Sequence, residues 1–408
     1  MSTTQVSEAG TIKQAAQDYW AKVKTGDIGP LAAILGLVVL CIVFGSMSPV
    51  FLTQGNFANL LTQAAAVIVI AMGLVFVLLI GEIDLSAGYA SGVCSAVLVI
   101  LVTKNDQPWY LALTASIIVG CVLGYLIGIL VARLGIPSFV VTLASFLAFQ
   151  GILLLLAGEG GTIRIEDKTV LAIENSNLSV SASWLFFIVV SAIYFLSGLA
   201  RINSRRKAGL KTELKKLWLI KTLALIGASG LAVLTLNLER SNNPDLVSLK
   251  GIPYVVPLIL AILVVGTFVL DRTAFGRHIY AVGGNAEAAR RAGINVKRIR
   301  IACFMICSGL SAIAGLIFAS RQNSVSPTTG GSSTLLYAVG AAVIGGTSLF
   351  GGKGKMRDAI LGGLVVAVID NGMGLLGYAA GIKFIVTGLV LLTSASVDAI
   401  SRRGVANS

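Results

Sequence analysis

Residues 283–294 read GGNAEAARRAGI, a short, charged, alanine-rich piece set between two long apolar runs, 253–270 and 301–320. The flanking runs fix its surroundings. A helix that crosses about 30 Å of hydrocarbon needs roughly 20 mostly apolar residues, and both runs meet that requirement. Ten more do so, giving twelve expected spans at about 31–50, 58–80, 85–103, 110–132, 137–157, 183–200, 218–236, 253–270, 301–320, 334–350, 358–378 and 383–400. Of the 408 residues 56% are hydrophobic and 12% charged, with a mean hydropathy of +0.90. A soluble domain carries about 25% charged residues, so most of this chain must face lipid or other membrane helices. The expected fold class is an all-α polytopic membrane protein. The 46 glycines predict closely packed, locally broken helices.

Residues 1–27 are polar, so no cleavable signal segment is expected, and residues 1–30 read as an N-terminal tail. Within the tail Ile12, Ala16, Tyr19, Trp20 and Val23 recur at helical spacing, which suits an interfacial helix or a disordered arm equally. Five cysteines fall inside expected spans without a CxxC pair, and His278 is the only histidine, so no metal or redox site is expected.

Lysine and arginine gather in cytoplasmic loops. With the N-terminus inside and twelve spans, inside loops and tails hold 24 of the 31 basic residues, and outside loops hold Lys104, Arg164, Lys168, Arg240, Lys250, Arg321 and Lys383. The reverse orientation inverts that bias. The expectation is therefore N-in and C-in, with tail 401–408 and loops 201–216 and 271–300 in the cytoplasm. The net charge of +13 is then a topology signal, and no nucleic-acid partner is implied.

The polar stretch thus sits on the cytoplasmic side. Asn285 is a good N-cap, Glu287 lies in the first turn and Arg290 and Arg291 in the last, where the helix dipole favours each charge. Gly293 suits the left-handed C′ position, with Ile294 available for the accompanying apolar contact. A helix of about seven residues is too short to stand alone in water. It must rest on something: the membrane surface, or a soluble partner whose groove takes the small face of Ala288, Ala289 and Ala292.

EAARRAG at 287–293 resembles the EAA-x-x-x-G signature in the cytoplasmic loop of ATP-binding-cassette (ABC) importer permeases. FGRHIYAVGGNAEAARRAGINVKRIRI, VIGGTSLFGGKGK, IDNGMGLLG and the early loop GEIDLSAG (81–88) together resemble the ribose, xylose and galactose type of sugar permease, over nearly the whole chain. The resemblance implies that the short helix couples the permease to a separate ABC ATPase subunit that holds ATP and magnesium. Gly284, Asn285, Glu287, Ala288, Ala289, Gly293 and Ile294 carry that role by resemblance. It also implies an extracytoplasmic sugar-binding protein, a homodimer with the path between protomers, and the bacterial cytoplasmic membrane. Such permeases have about ten spans. The extra helical pair at 183–236 around loop 201–216 is most similar to the xylose subgroup, with D-xylose the implied cargo.

Gly81–Gly88 overlays Gly345–Gly352 through G-x-x-x-L-x-x-G, which an internal repeat or a chance match of glycine-rich loops would both give. The two acidic residues that the family carries before GGTSL are Leu335 and Tyr337 here. GGKGK at 351–355 is not a phosphate loop, because Lys353 is followed by glycine, so no nucleotide site and no catalytic residue is expected in this chain. Polar groups within or at the ends of spans are costly and often functional. Gln63, Glu82, Asp84, Gln150, Asp370 and Asn371 are therefore the candidates for the translocation path. The rival reading is an ion-coupled secondary sugar transporter with Asp370 or Asp84 as the coupling carboxylate.

Overall fold

The computed structural model describes residues 31–158, 161–209, 215–241 and 243–406. The expected N-terminal tail, part of the basic loop 201–216 and the last two residues lie outside them. Every one of the twelve apolar runs carries a helix. The first five are α1 (Leu31–Met47), α2 (Gln54–Leu79), α3 (Ala87–Thr103), α4 (Trp109–Ala132) and α5 (Ser138–Ala157). A short helix α6 (Lys168–Asn175) follows, then α7 (Val180–Lys207), α8 (Lys215–Asn237) and α9 (Val255–Arg272). Two small helices, α10 (Ala274–Gly284) and α11 (Ala286–Arg291), lead into α12 (Val296–Gln322). The chain continues through α13 (Ser332–Ile344), α14 (Met356–Leu375) and α15 (Ala380–Ala406). Strands β1 (Ile163–Arg164) and β2 (Ser324–Val325) form one minimal antiparallel pair. Helices α2, α4, α5, α7, α8, α9, α12 and α14 are long and apolar enough to cross a bilayer, whereas α1, α3, α13 and the apolar part of α15 are shorter.

The expected run 334–350 departs from a single helix. It stops at Ile344 because Gly345 packs onto the backbone of Asp358, leaving no room for a Cβ, and Gly346 turns to φ +117°. The same cap ends α2. Gly81 N–H donates to Leu78 O and Glu82 N–H to Val77 O, as Gly346 N–H does to Val343 O and Thr347 N–H to Ala342 O. The structural match between the two loops therefore pairs Gly81 with Gly346, one residue off the sequence overlay.

The described residues divide into two compact units. The larger covers 31–176 and 253–399, and its core is α2. Residues 64–80 are buried almost without a break, packed by α9, α12, α13 and α14. Lipid is as apolar as leucine, so close contact rather than the hydrophobic effect holds membrane helices together. Sequence supplies that contact on α4, where Gly120, Gly124 and Gly128 recur every fourth residue and lie against Ser308, Phe304 and Ile301 of α12. The outer sides show the complementary pattern: Leu35, Val39 and Ile42 on α1, Leu147 and Leu155 on α5, and Val264, Val265 and Phe268 on α9 are all exposed.

The smaller unit is built on 177–252. Trp218 of α8 packs on Phe195 of α7 at 5.3 Å and against Gly198, which is small enough to admit the indole. Arg205, Arg206 and Lys207 close α7, where the dipole favours positive charge. After α8, Glu239 gathers the connecting loop by accepting from Ser248 Oγ (2.7 Å) and from Leu249, Arg240 and Ser241 N–H (2.9–3.0 Å). These donors pull its carboxyl down to about 2.

Candidate functional site

Four short connections of the larger unit meet at one end of the helices: residues 80–86, the start of α5, the α10–α11 region and 345–355. Gly352 N–H donates to Leu79 O at 2.8 Å, and Gly283 lies so close to Leu79 that a Cβ there would collide with its carbonyl. Tyr280 O–H donates to Gly354 O at 2.8 Å; burial first, then nearby Asp271 and Asp358, push this phenol up to about 12, so it keeps its proton as a donor. Ile83 N–H reaches Ser138 Oγ.

Helix α11 stands at this end with the caps that its sequence calls for. Asn285 Oδ1 accepts from Ala288 N–H at 2.9 Å, Gly293 takes φ +84°, and Gly293 and Ile294 N–H return to Arg290 O and Ala289 O at 3.0 Å. Glu287 pairs with Arg290 (3.1 Å) and Arg291 (3.3 Å), both exposed and each worth only about 0.3–0.5 kcal/mol. Gly284, Asn285, Glu287, Ala288 and Gly293 are exposed and Ile294 is half-buried. Ala289 departs from the expected outward face: it points inward and is 4% exposed. The outward face is therefore Glu287, Ala288, Arg290, Arg291 and Ala292.

Of the six path candidates, Gln63, Asp370 and Asn371 come together at the opposite end. Asn371 and Asn56 exchange two amide hydrogen bonds of 2.9 Å, and Asn371 also donates to Gln63 Oε1 at 3.3 Å. Gln63 Nε2 donates to Asp370 Oδ2 at 2.6 Å, and Lys383 Nζ lies 3.5 Å from Asp370 Oδ1. Next to them Arg321 donates to Thr62 Oγ1 (2.7 Å) and Asn59 Oδ1 (3.1 Å). Asn56 and Asn371 are buried, while Thr62, Gln63, Asp370, Lys383 and Arg321 are partly exposed, a cluster of amides, hydroxyl, carboxylate and two cations suited to exchanging hydrogen bonds with a polyhydroxylated solute.

The other three candidates lie elsewhere. Glu82 sits at the α11 end, its Oε1 3.1 Å from Arg300 Nε in a charge pair whose N–H points off the hydrogen-bond line. Asp84 is fully buried there, accepting from Ser86 N–H (2.9 Å) and Ser86 Oγ (2.6 Å). Gln150 is exposed on α5. Sequence reasoning missed Asn56, Asn59, Thr62, Arg321 and Lys383. The signal was present on α2, where Asn56, Asn59 and Gln63 share one helical face at i, i+3 and i+7. Leu335 and Tyr337 are also placed. Leu335 is buried against Gly88, where a carboxylate would be desolvated, and Tyr337 packs against Phe384 at 6.3 Å, within electrostatic reach of Asp370.

At this same end α6 packs on the end of α12. Its Glu174 is 8% exposed, and neither carboxylate oxygen has a partner among the described residues. Burial pushes the carboxyl from 4.5 up to about 8, with Arg321 opposing. A raised acid gives stability that is complete below about pH 4.5 and is lost as pH climbs through about 8, because the native state must then hold a buried charge. Thermal unfolding in detergent should therefore drop by several degrees between pH 6 and 9. Glu174→Gln should flatten that slope; an equal slope in both proteins would show that another group sets it.

Membrane-length helices around a buried α2, with a polar cluster at one end and an exposed capped helix at the other, make this a multi-pass membrane protein of the permease class. The chain belongs to the family of branched-chain amino acid transport system permease components, which matches residues 56–395. It is 37% identical over 355 residues to the xylose transport system permease protein of Escherichia coli strain K12, covering 86% of this chain and 87% of that one. The corresponding protein of Haemophilus influenzae is 32% identical over 383 residues, 94% of this chain and 99% of the relative. The ribose import permease protein of H. influenzae is 28% identical over 366 residues, 90% and 92% of the two chains. No solved structure matches the chain.

Proposed function

We propose that this chain is the membrane subunit of an ABC importer for a monosaccharide, a pentose such as D-xylose. It crosses the membrane twelve times with both termini in the cytoplasm. A separate ATPase subunit carrying ATP and magnesium docks on α11, an extracytoplasmic binding protein delivers the sugar, and two copies of the chain enclose the path. The observation that carries this reading is α11 itself: a six-residue helix with every cap built and its charged face turned outward, in a chain similar along nearly its full length to xylose and ribose permeases. The cluster of Gln63, Asp370, Asn371 and Lys383 is the extracytoplasmic entry of the path. Gln63, Asp370 and Lys383 are partly exposed, so a sugar can exchange with their hydrogen bonds and leave again.

The ion-coupled reading places proton or sodium exchange on Asp370. In the structure that carboxylate is already engaged by Lys383 and Gln63. Asp370→Asn should lower ATP-driven uptake severalfold and leave the remainder insensitive to a protonophore when ATP is maintained. Complete loss of uptake in this variant, together with protonophore sensitivity of the wild type, would favour the ion-coupled carrier.

A further inference from the structure

Helix α2 runs antiparallel to α12 over its full length, and the two are fastened at both ends. Arg300, in the second turn of α12, pairs with Glu82 just past the end of α2. Arg321, at the last turn of α12, holds Thr62 and Asn59 in the early part of α2. Between them Gly73 brings the backbones into contact, its Cβ position lying 3.0 Å from Cys307 O and 3.2 Å from Cys307 Cα. The two arginines stand 21 positions apart, roughly 31 Å along a helix axis, which is the thickness of a hydrocarbon core.

The two ends belong to different parts of the molecule. α12 follows directly on α11, the proposed ATPase contact, while α2 also carries Asn56 and Gln63, which hold Asn371 and Asp370 of α14. An ion pair is a weak source of net stability, and a charged side chain near hydrocarbon is expensive. Arg300 in its ion pair and Arg321 on its two neutral side-chain oxygens are therefore better explained by what they transmit than by what they stabilise.

We infer that α2 and α12 move as one lever, with Glu82, Arg300 and Arg321 as its positioning residues, so that displacement of α11 reaches the polar cluster at the opposite end. Glu82–Arg300 fixes α12 to α2 beside the ATPase contact. Arg321 makes the far ends of both helices move together, so Gln63 separates from Asp370 when the lever tilts. This assigns Glu82 to force transmission rather than to the path. The inference rests on the ABC reading.

The test uses the assembled transporter, permease with its ATPase subunit, in proteoliposomes loaded with ATP, with labelled D-xylose and the binding protein outside. Uptake and ATP hydrolysis are measured on the same sample. In Glu82→Arg and in Arg300→Glu, hydrolysis should persist and the ATPase should still co-purify. Uptake per ATP should fall roughly tenfold, the usual scale of a coupling interaction. The exchanged pair Glu82→Arg with Arg300→Glu should recover most of that ratio. An unchanged ratio in both single variants, or an exchanged pair no better than Glu82→Arg alone, would overturn the lever. Should Glu82→Arg fail to fold, Glu82→Gln is read the same way. Failure of the ABC reading is separately visible, since the wild type would then take up sugar without hydrolysing ATP.

Discussion

Gly124→Leu is expected to leave no folded permease in the membrane. A Cβ at Gly124 would lie 2.7 Å from Met305 Cα and Phe304 C, and closer still to the Phe304 carbonyl oxygen. Its neighbours in the stripe are also tight: a Cβ at Gly120 would meet Ser308 O at 2.6 Å and one at Gly128 would meet Ile301 Cα at 2.8 Å. These neighbours are backbone, so no rotamer change relieves the clash; α4 must move away from α12 as a whole. Overpacking that side chains can absorb already costs about 1–3 kcal/mol, and separating two helices costs more. Gly36→Leu on α1, where nothing lies within 4 Å, is the matched control and should behave as wild type. Size-exclusion chromatography of a fluorescent fusion reads the result directly. A monodisperse Gly124→Leu protein with an unchanged melting temperature would show that the α4–α12 contact is not what holds the unit together.

The second large effect is functional. Gly293→Val should reduce uptake more than tenfold, the scale of a lost coupling interaction, while the protein still inserts and folds. At φ +84° a residue with a Cβ pays about 1–2 kcal/mol, and a β-branched residue more. A helix of six residues has little with which to meet that cost. The Schellman bonds from Gly293 and Ile294 are lost, and α11 unwinds. No atom lies within 4 Å of the new Cβ, so the damage stays local. Gly293→Asn, which tolerates the left-handed region better, should retain a sizeable part of the activity. Glu287→Lys should also abolish uptake, by removing the only carboxylate of that face and leaving three positive charges uncompensated. Full uptake by Gly293→Val would remove α11 from the mechanism.

Legibility in the sequence follows the range of each interaction. The twelve apolar helices were readable because apolar length is a property of each segment separately, and eight of them are long enough to cross a bilayer. The caps of α11 were readable because Asn285 and Gly293 act within one turn of themselves. That Ala289 would face inward was not, because the face of so short a helix is chosen by its entry from α10 and its exit into α12. The early stop of α13 was equally hidden, since it depends on Gly345 touching a backbone from beyond its own loop. Composition announced close packing through 46 glycines but not which ones meet a neighbour. In the polar cluster, hydropathy singled out Gln63 and Asp370 as costly residues, yet they lie 307 positions apart and only the fold pairs them. Lys383 and Arg321 were legible as charges outside the membrane and not as partners of that cluster. Glu82 was read as a path residue because it ends a span; Arg300, which it meets, is 218 positions away.

In the proposed function, sugar crosses this permease only when an ATPase subunit drives it. Uptake of labelled D-xylose, measured in cells carrying the complete system and in cells lacking only the ATPase subunit, tests it most directly. Uptake is expected in the first and none above background in the second. Sugar accumulation that persists without the ATPase and collapses with a protonophore would contradict it.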